Sequence, residues 1–202
     1  MVRSKRKRIG DIFTAVFIVL IFGFVTYGIV LRVNHNDIYL FGYRTDVVLS
    51  DSMSYKNSDP KVQEFLKGHD DQFNKGDLIY SVKINTDTPV EVYDVVTFVN
   101  PTSGRLTTHR VVEIVKRAGK MKYRIRADAA NYDSYDAVLD KTDLIAKKVG
   151  QTPWIGYVVD FLHSIFGMVM LIGLAVLLAV YSYFSSRSDR LEAAAEEGKI
   201  KK

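Results

Sequence analysis

Two apolar runs bracket this chain and restrict what it can become. Residues 12–31 form 20 positions without a charge, and residues 161–186 form 26. At about 1.5 Å of rise per residue, each is long enough to cross a hydrocarbon core about 30 Å thick. The first run exceeds the roughly 7–15 residues of a signal-peptide h-region, and no Ala-x-Ala site follows it, so an uncleaved anchor is expected. The chain has 202 residues. The stretch between the runs therefore has room for one domain of ordinary size.

Charge sets the expected orientation. Arg3, Lys5, Arg6, Lys7 and Arg8 precede the first run, and Arg187 and Arg190 follow the second. By the positive-inside rule both ends are cytoplasmic. The expected order is a basic tail (1–11), an anchor (12–31), an extracytoplasmic domain (32–153), a second membrane helix (158–184) and a cytoplasmic tail (185–202). That tail ends in an Ala/Glu/Lys-rich segment, 192–202, expected as a frayed helix or disordered. The expected location is the cell membrane, crossed twice. Residues 32–153 carry 18 Lys/Arg against 17 Asp/Glu, so the net charge of +5 resides mostly in the tails. A nearly neutral folded part argues against nucleic-acid binding.

Cysteine is absent, so an exported domain must be stable from its core alone. The four histidines (35, 69, 109 and 163) are scattered, without metal-ligand spacing. No metal and no cofactor is expected.

Between the anchors the pattern is that of strands. Segments 45–49, 77–84, 92–99, 106–115, 122–127 and 144–149 are rich in Val, Ile, Tyr, Phe and Thr. Turn signals such as Lys75-Gly76, Asn100-Pro101, Ser103-Gly104 and Ala118-Gly119 separate many of them. Residues 60–66 suit a short helix with Pro60 in its first turn, inside a polar tract, 55–74, read as a surface excursion. The expected fold is mainly β, an antiparallel β-rich domain flanked by two transmembrane helices.

Three residue types recur in the order needed for nucleophilic catalysis. Ser52 ends the strand-like stretch Asp46-Val47-Val48-Leu49 and precedes Met53. Ser50, two residues earlier, shares its side-chain direction if the strand continues. The Ser50 hydroxyl is then a second donor, with the Ser52 amide, to a developing oxyanion. His109 lies in the strand-like segment Leu106-Thr-Thr-His-Arg-Val-Val-Glu-Ile and is the candidate base. Asp128, Asp133 and Asp136 are candidates for the carboxylate that orients it. Each element alone has an ordinary explanation: Ser-Asp-Ser is common in turns, a lone strand histidine is commonly a core or surface residue, and the aspartates lie in a polar loop.

Taken together the segments resemble a family. Ser50-Asp51-Ser52-Met53 is similar to the Ser-Gly-Ser-Met box of type I signal peptidases. Gly76-Asp77-Leu78-Ile79-Tyr80 and Tyr93-Asp94-Val95-Val96-Thr97-Phe98 resemble that family's paired Gly-Asp-hydrophobic strands. Thr108-His109-Arg110-Val111-Val112 is similar to the box carrying the general base, in the branch where the base is histidine. Asp128-Ala129-Ala130-Asn131 resembles the Gly-Asp-Asn box. The segment from Lys148 to Tyr157 resembles the approach to that branch's C-terminal membrane helix. Four departures stand out: Asp51, Tyr93 and Ala127 occupy positions where the family has glycine, and Ser54-Tyr55 replaces a proline.

The resemblance implies a membrane-bound serine endopeptidase that removes signal peptides from exported precursors. Ser52 is then the nucleophile and His109 the base. Asp128, at the family's first acidic position, leads as the orienting residue, with Asp133 as the fallback and Asp136 behind it. Val47, Leu49, Val95 and Phe98 are candidates to line shallow pockets for small side chains at the −1 and −3 positions. The implied partners are secretory precursors, the lipid bilayer and the secretion machinery. A dedicated peptidase for a few surface or matrix precursors, or a non-catalytic anchored assembly factor with the same fold, are the competing readings.

Overall fold

The computed structural model describes residues 2–33, 38–54, 57–117 and 119–200. His35, Tyr55 and Ala118, named above, lie outside the described residues. The chain divides into two compact units, one formed by Asn36–Asp160 and the other by the segments before and after it.

The terminal unit is helical. Helix α1 runs Val2–Val33 and α4 runs Ile165–Ile200. Gly10–Val30 and Ile165–Ser188 are long and apolar enough to cross a membrane. The two helices pack through Ile21, Val25 and Ala175, with Met168 and Leu171 against them. Most of their other apolar side chains are exposed, among them Phe13, Phe17, Leu177 and Phe184. Such a surface suits lipid rather than water.

The second apolar run is not one helix. A short helix, α3 (Ile155–His163), stops before α4 begins. Ser164 makes the break: its Oγ donates to the Phe161 carbonyl (2.6 Å) and accepts from the Gly167 amide (3.1 Å), which caps α4. A Cβ on Gly167 would stand 2.1 Å from the Phe161 oxygen, so the turn requires glycine. The expected membrane helix at 158–184 is therefore corrected. Residues 158–163 belong to α3, and the segment long and apolar enough to cross a membrane begins at Ile165.

The central unit is one antiparallel sheet of seven strands: β1 (Tyr43–Val47), β2 (Leu78–Lys83), β3 (Val95–Val99), β4 (Leu106–Arg117), β5 (Lys120–Arg126), β6 (Ala137–Asp140) and β7 (Leu144–Thr152). Their order is β1-β2-β7-β3-β4-β5-β6. "Mainly β" describes this unit only, since α1 and α4 together hold more residues than the seven strands. The larger core gathers Val96, Phe98, Val111, Ile125 and Leu144. A smaller one, Val48, Met53, Phe73, Ile79 and Val95, lies under the segment that carries Ser52.

Two glycines lock the end of β7 onto the start of β2. A Cβ on Gly76 would overlap the Tyr157 ring, and one on Gly156 would meet the Asp77 carbonyl at 2.6 Å. The Asp77 carboxylate accepts from the Trp154 amide (3.0 Å) and the Asn74 amide (2.9 Å). The Gly76-Asp77 turn and the 150–157 segment, far apart in sequence, therefore interlock.

The tract read as a surface excursion is in part a structural layer. Helix α2 (Pro60–Phe65) is capped by Asp59 and buries Val62. Asn57 Nδ2 donates to the carbonyls of Asp128 (3.0 Å) and Ala130 (2.6 Å). Downstream, Phe73 is buried, and its amide donates to the Met53 carbonyl. A polar sequence hides this because the tract docks through side-chain-to-backbone bonds rather than through an apolar stripe.

Candidate active site

The Ser52 segment follows β1 and is held from several sides. Val48 exchanges backbone bonds with Gly76 and Asp77 (2.9 Å each), and the Ser52 carbonyl accepts from the Ala129 amide at 2.9 Å. Met53 is completely buried beneath it. The Asp51 carboxylate accepts from the Lys75 amide (2.9 Å) and ties the turn to the Gly76 loop. Ser50 Oγ lies 3.1 Å from Ser52 Oγ.

His109 reaches this segment from β4, where it pairs with Val96 of β3. Its Nε2 is 3.0 Å from Ser52 Oγ, across 57 residues of sequence. The ring is only 8% exposed and meets Phe98 edge-on. A hydroxyl and an imidazole at this distance have the geometry that a nucleophile and its base require for acyl transfer.

The third member is Asp136. Its Oδ2 stands 2.9 Å from His109 Nδ1, a close approach that is not aligned as a linear N–H···O bond. Oδ2 also accepts from the Ala127 amide (2.7 Å), and the Asp136 amide donates to the Ile125 carbonyl (2.8 Å). Burial pushes the Asp136 carboxyl up. The His109 contact and charge, the Ala127 amide and the Arg126 charge outweigh it and hold the group below the usual carboxylate range.

The expectation that Asp128 orients His109 is corrected. Asp128 is fully buried and grips Arg110: Oδ1 accepts from Nε at 2.9 Å and Oδ2 from Nη2 at 2.7 Å. Arg110 follows His109 on the strand, so its side chain leaves by the opposite face. Its guanidinium also pairs with Asp71 at 2.8 Å and donates to the Tyr93 carbonyl. Burial pushes the Asp71 carboxyl up, yet the Arg110 bond and charge hold it below the ordinary range. Asp128 thus anchors the 127–131 loop from behind. Asp133, the fallback, is exposed between that loop and β6 and has no described contact with His109.

The pocket candidates divide. Val47 is half-buried and Leu49 exposed, both close before Ser52. Val95 and Phe98 are buried in the two cores and line no surface. Four successive residues of β3, Val95, Val96, Thr97 and Phe98, are all buried, so both faces of the strand are covered. Tyr93, where the sequence resemblance would place glycine, has φ +79°, a conformation costly for a bulky residue. It is held there by stacking on His69, with ring centroids 3.8 Å apart, and on Phe65 at 4.7 Å.

Neither the protein-family models nor the curated proteins compared with this chain give a match.

Proposed function

We propose that the chain is a membrane-anchored serine endopeptidase that cleaves signal peptides from exported precursors. One observation carries the reading: Ser52 Oγ, both nitrogens of His109 and Asp136 Oδ2 form a continuous series of contacts of 3.0 and 2.9 Å. Ser52 Oγ attacks the scissile carbonyl while His109 Nε2 takes its proton. His109 then returns the proton to the leaving amine, and water repeats the sequence to release the acyl group. Asp136 holds the imidazole and stabilises its cation. Ser50 Oγ and the Ser52 amide are the donors for the oxyanion. Val47 and Leu49 flank the bound chain where small −1 and −3 side chains would lie.

The helices fit this task. A signal peptide's apolar segment stays in the bilayer, so an enzyme tethered by two spans meets its cleavage site at the lipid surface. Basic residues outside both runs orient the ends toward the cytoplasm and the sheet domain outward. The secretion machinery is the natural neighbour of such an enzyme.

Two measurements test this. The full chain in detergent micelles should release the mature part of a signal-peptide precursor with one cut after a small residue, read by mass, and Ser52→Ala should leave the precursor whole. Equal cleavage by Ser52→Ala, or none by the wild type on a panel of precursors, would overturn the assignment. A reporter fused after Lys202 should be active only in the cytoplasm, and external activity would refute the orientation.

A further inference from the structure

Ser52 leaves the fold one handle by which to hold it. In the proposed chemistry its hydroxyl attacks and its amide faces the oxyanion, and the carbonyl remains. That carbonyl accepts from the Ala129 amide at 2.9 Å. The Ala129 N–H and the Asp128 C=O belong to one planar trans peptide group and point in opposite directions. Whatever grips the Asp128 oxygen therefore aims the donor that grips Ser52. The partner there is Asn57, whose Nδ2 donates to the Asp128 carbonyl (3.0 Å) and to the Ala130 carbonyl (2.6 Å).

Few side chains fill this place as asparagine does. Its two N–H donors go to two carbonyls, while its Oδ1 accepts from the Asp59 amide at 2.8 Å. These partners also fix which way round the amide lies, since the reverse would set an oxygen against two carbonyl oxygens. Hydrogen bonds in series polarise one another, so donation from Asn57 strengthens the 128–129 peptide as a donor to Ser52. Helix α2 braces Asn57 from its other side: Asp59 is the N-cap of that helix, and Gln63 Nε2 donates to the Asn57 carbonyl at 3.0 Å.

We propose that Asn57 is a positioning residue for the nucleophile. It fixes the 128–129 peptide, and that peptide fixes the Ser52 carbonyl and with it the 3.0 Å approach of Oγ to His109 Nε2. This rests on reading Ser52 and His109 as a catalytic pair. The same loop also serves Asp136, because the Ala127 amide donates to Asp136 Oδ2 at 2.7 Å. Ala130, held by Asn57 at its oxygen, closes the turn through its amide, which donates to the Ala127 carbonyl at 3.1 Å. One side chain of the polar 55–74 tract thus steadies the loop to which both Ser52 and Asp136 are tied.

The Asp128 carboxylate stays in the grip of Arg110 whatever stands at position 57, so the loop keeps its place when Asn57 is changed. What changes is the aim of one peptide group. A serine displaced by a fraction of an ångström still meets a bound substrate but attacks it more slowly. The loss therefore falls on kcat rather than on KM.

The test uses the full chain in detergent micelles, labelled with nitrogen-15 alanine, with Ala129→Gly identifying the Ala129 signal. Asn57→Asp keeps the shape and the Oδ1 acceptor but puts an oxygen where both donors were. In this variant the Ala129 amide should exchange with deuterium at least about tenfold faster than in wild type. Its kcat should fall roughly tenfold to a hundredfold, with KM within about twofold. Val62→Ala is the control for stability alone, since Val62 is completely buried in α2 and makes none of these side-chain bonds. It should melt earlier, yet keep Ala129 exchange and kcat per folded molecule within about twofold of wild type. If Asn57→Asp does not fold, Asn57→Ser, with its single shorter donor, decides by the same readouts. Unchanged Ala129 exchange, unchanged kcat, or equal losses in Val62→Ala would overturn the inference. Faster Ala129 exchange on a background where the wild type cleaves no precursor would instead overturn the peptidase reading and leave the tether intact.

Discussion

Ser52→Ala, His109→Ala and the double variant are expected to fall to one common floor, on the order of 10⁶-fold below wild type in kcat. The hydroxyl and the imidazole nitrogen are 3.0 Å apart, so neither performs its step without the other: the serine is a poor nucleophile while protonated, and the histidine has no proton to take once the hydroxyl is gone. Losses in such a unit do not add. The floor above the uncatalysed rate comes from whatever the remaining backbone and Ser50 donors contribute to the oxyanion. Ser50→Ala keeps the pair and should cost less, about 10²-fold. His109→Lys should not recover activity. An ammonium on a flexible stem must lose its proton in the shell now holding a planar ring between Phe98 and Ser52. Steady-state kinetics on one precursor, with folding checked by circular dichroism, decide the matter. Losses that multiply in the double variant would mean that the two residues act separately.

How much of this was legible in the sequence depends on how far each feature is local. Ser52 and His109 sit in segments whose residue types mark them, and the strands at 45–49, 77–84, 106–115 and 122–127 overlap β1, β2, β4 and β5, because a period of two with β-branched residues is a local property. The sixth strand is not local. Ala137–Asp140 is four residues behind a polar loop, too short to show a period, and it exists because Tyr123, Arg124 and Ile125 offer it a ladder. That ladder pairs Ile125 with Ala137 and so delivers Asp136 beside the end of β5. Counting positions from Asp128 could not reveal this, since the length of the intervening loop sets which carboxylate arrives. Val95 and Phe98 failed as pocket residues for a related reason: each packs into a core built by distant segments, which β3's own residues do not reveal. The 55–74 tract hid its packing in Asn57, Asp59 and Phe73, whose partners lie on distant segments.

Separating the two aspartates gives the sharpest distinction. Asp136→Asn should fold normally and lose on the order of 10⁴ in kcat, the cost of misorienting a catalytic imidazole and leaving its cation unsupported. An amide at this position also faces a conflict, because one oxygen would have to satisfy both the Ala127 amide and His109 Nδ1, which now share Oδ2. Asp128→Asn should show the opposite profile. It removes a charge from a fully buried pair, leaving Arg110 with Asp71 as its remaining carboxylate. Breaking such a pair costs about 3–5 kcal/mol, a large share of the roughly 5–15 kcal/mol that a domain possesses. The variant should melt early while its folded fraction still cleaves within about tenfold of wild type, since Arg110 and Asp128 act on the opposite face of β4 from His109. Asp133→Asn, on the exposed loop, should change neither stability nor rate by more than about 0.5 kcal/mol. Thermal melts paired with kcat per folded molecule separate the roles. Should Asp128→Asn abolish cleavage at full stability while Asp136→Asn cleaves normally, the orienting carboxylate is Asp128 and the Asp136 contact with Nδ1 has no part in the chemistry.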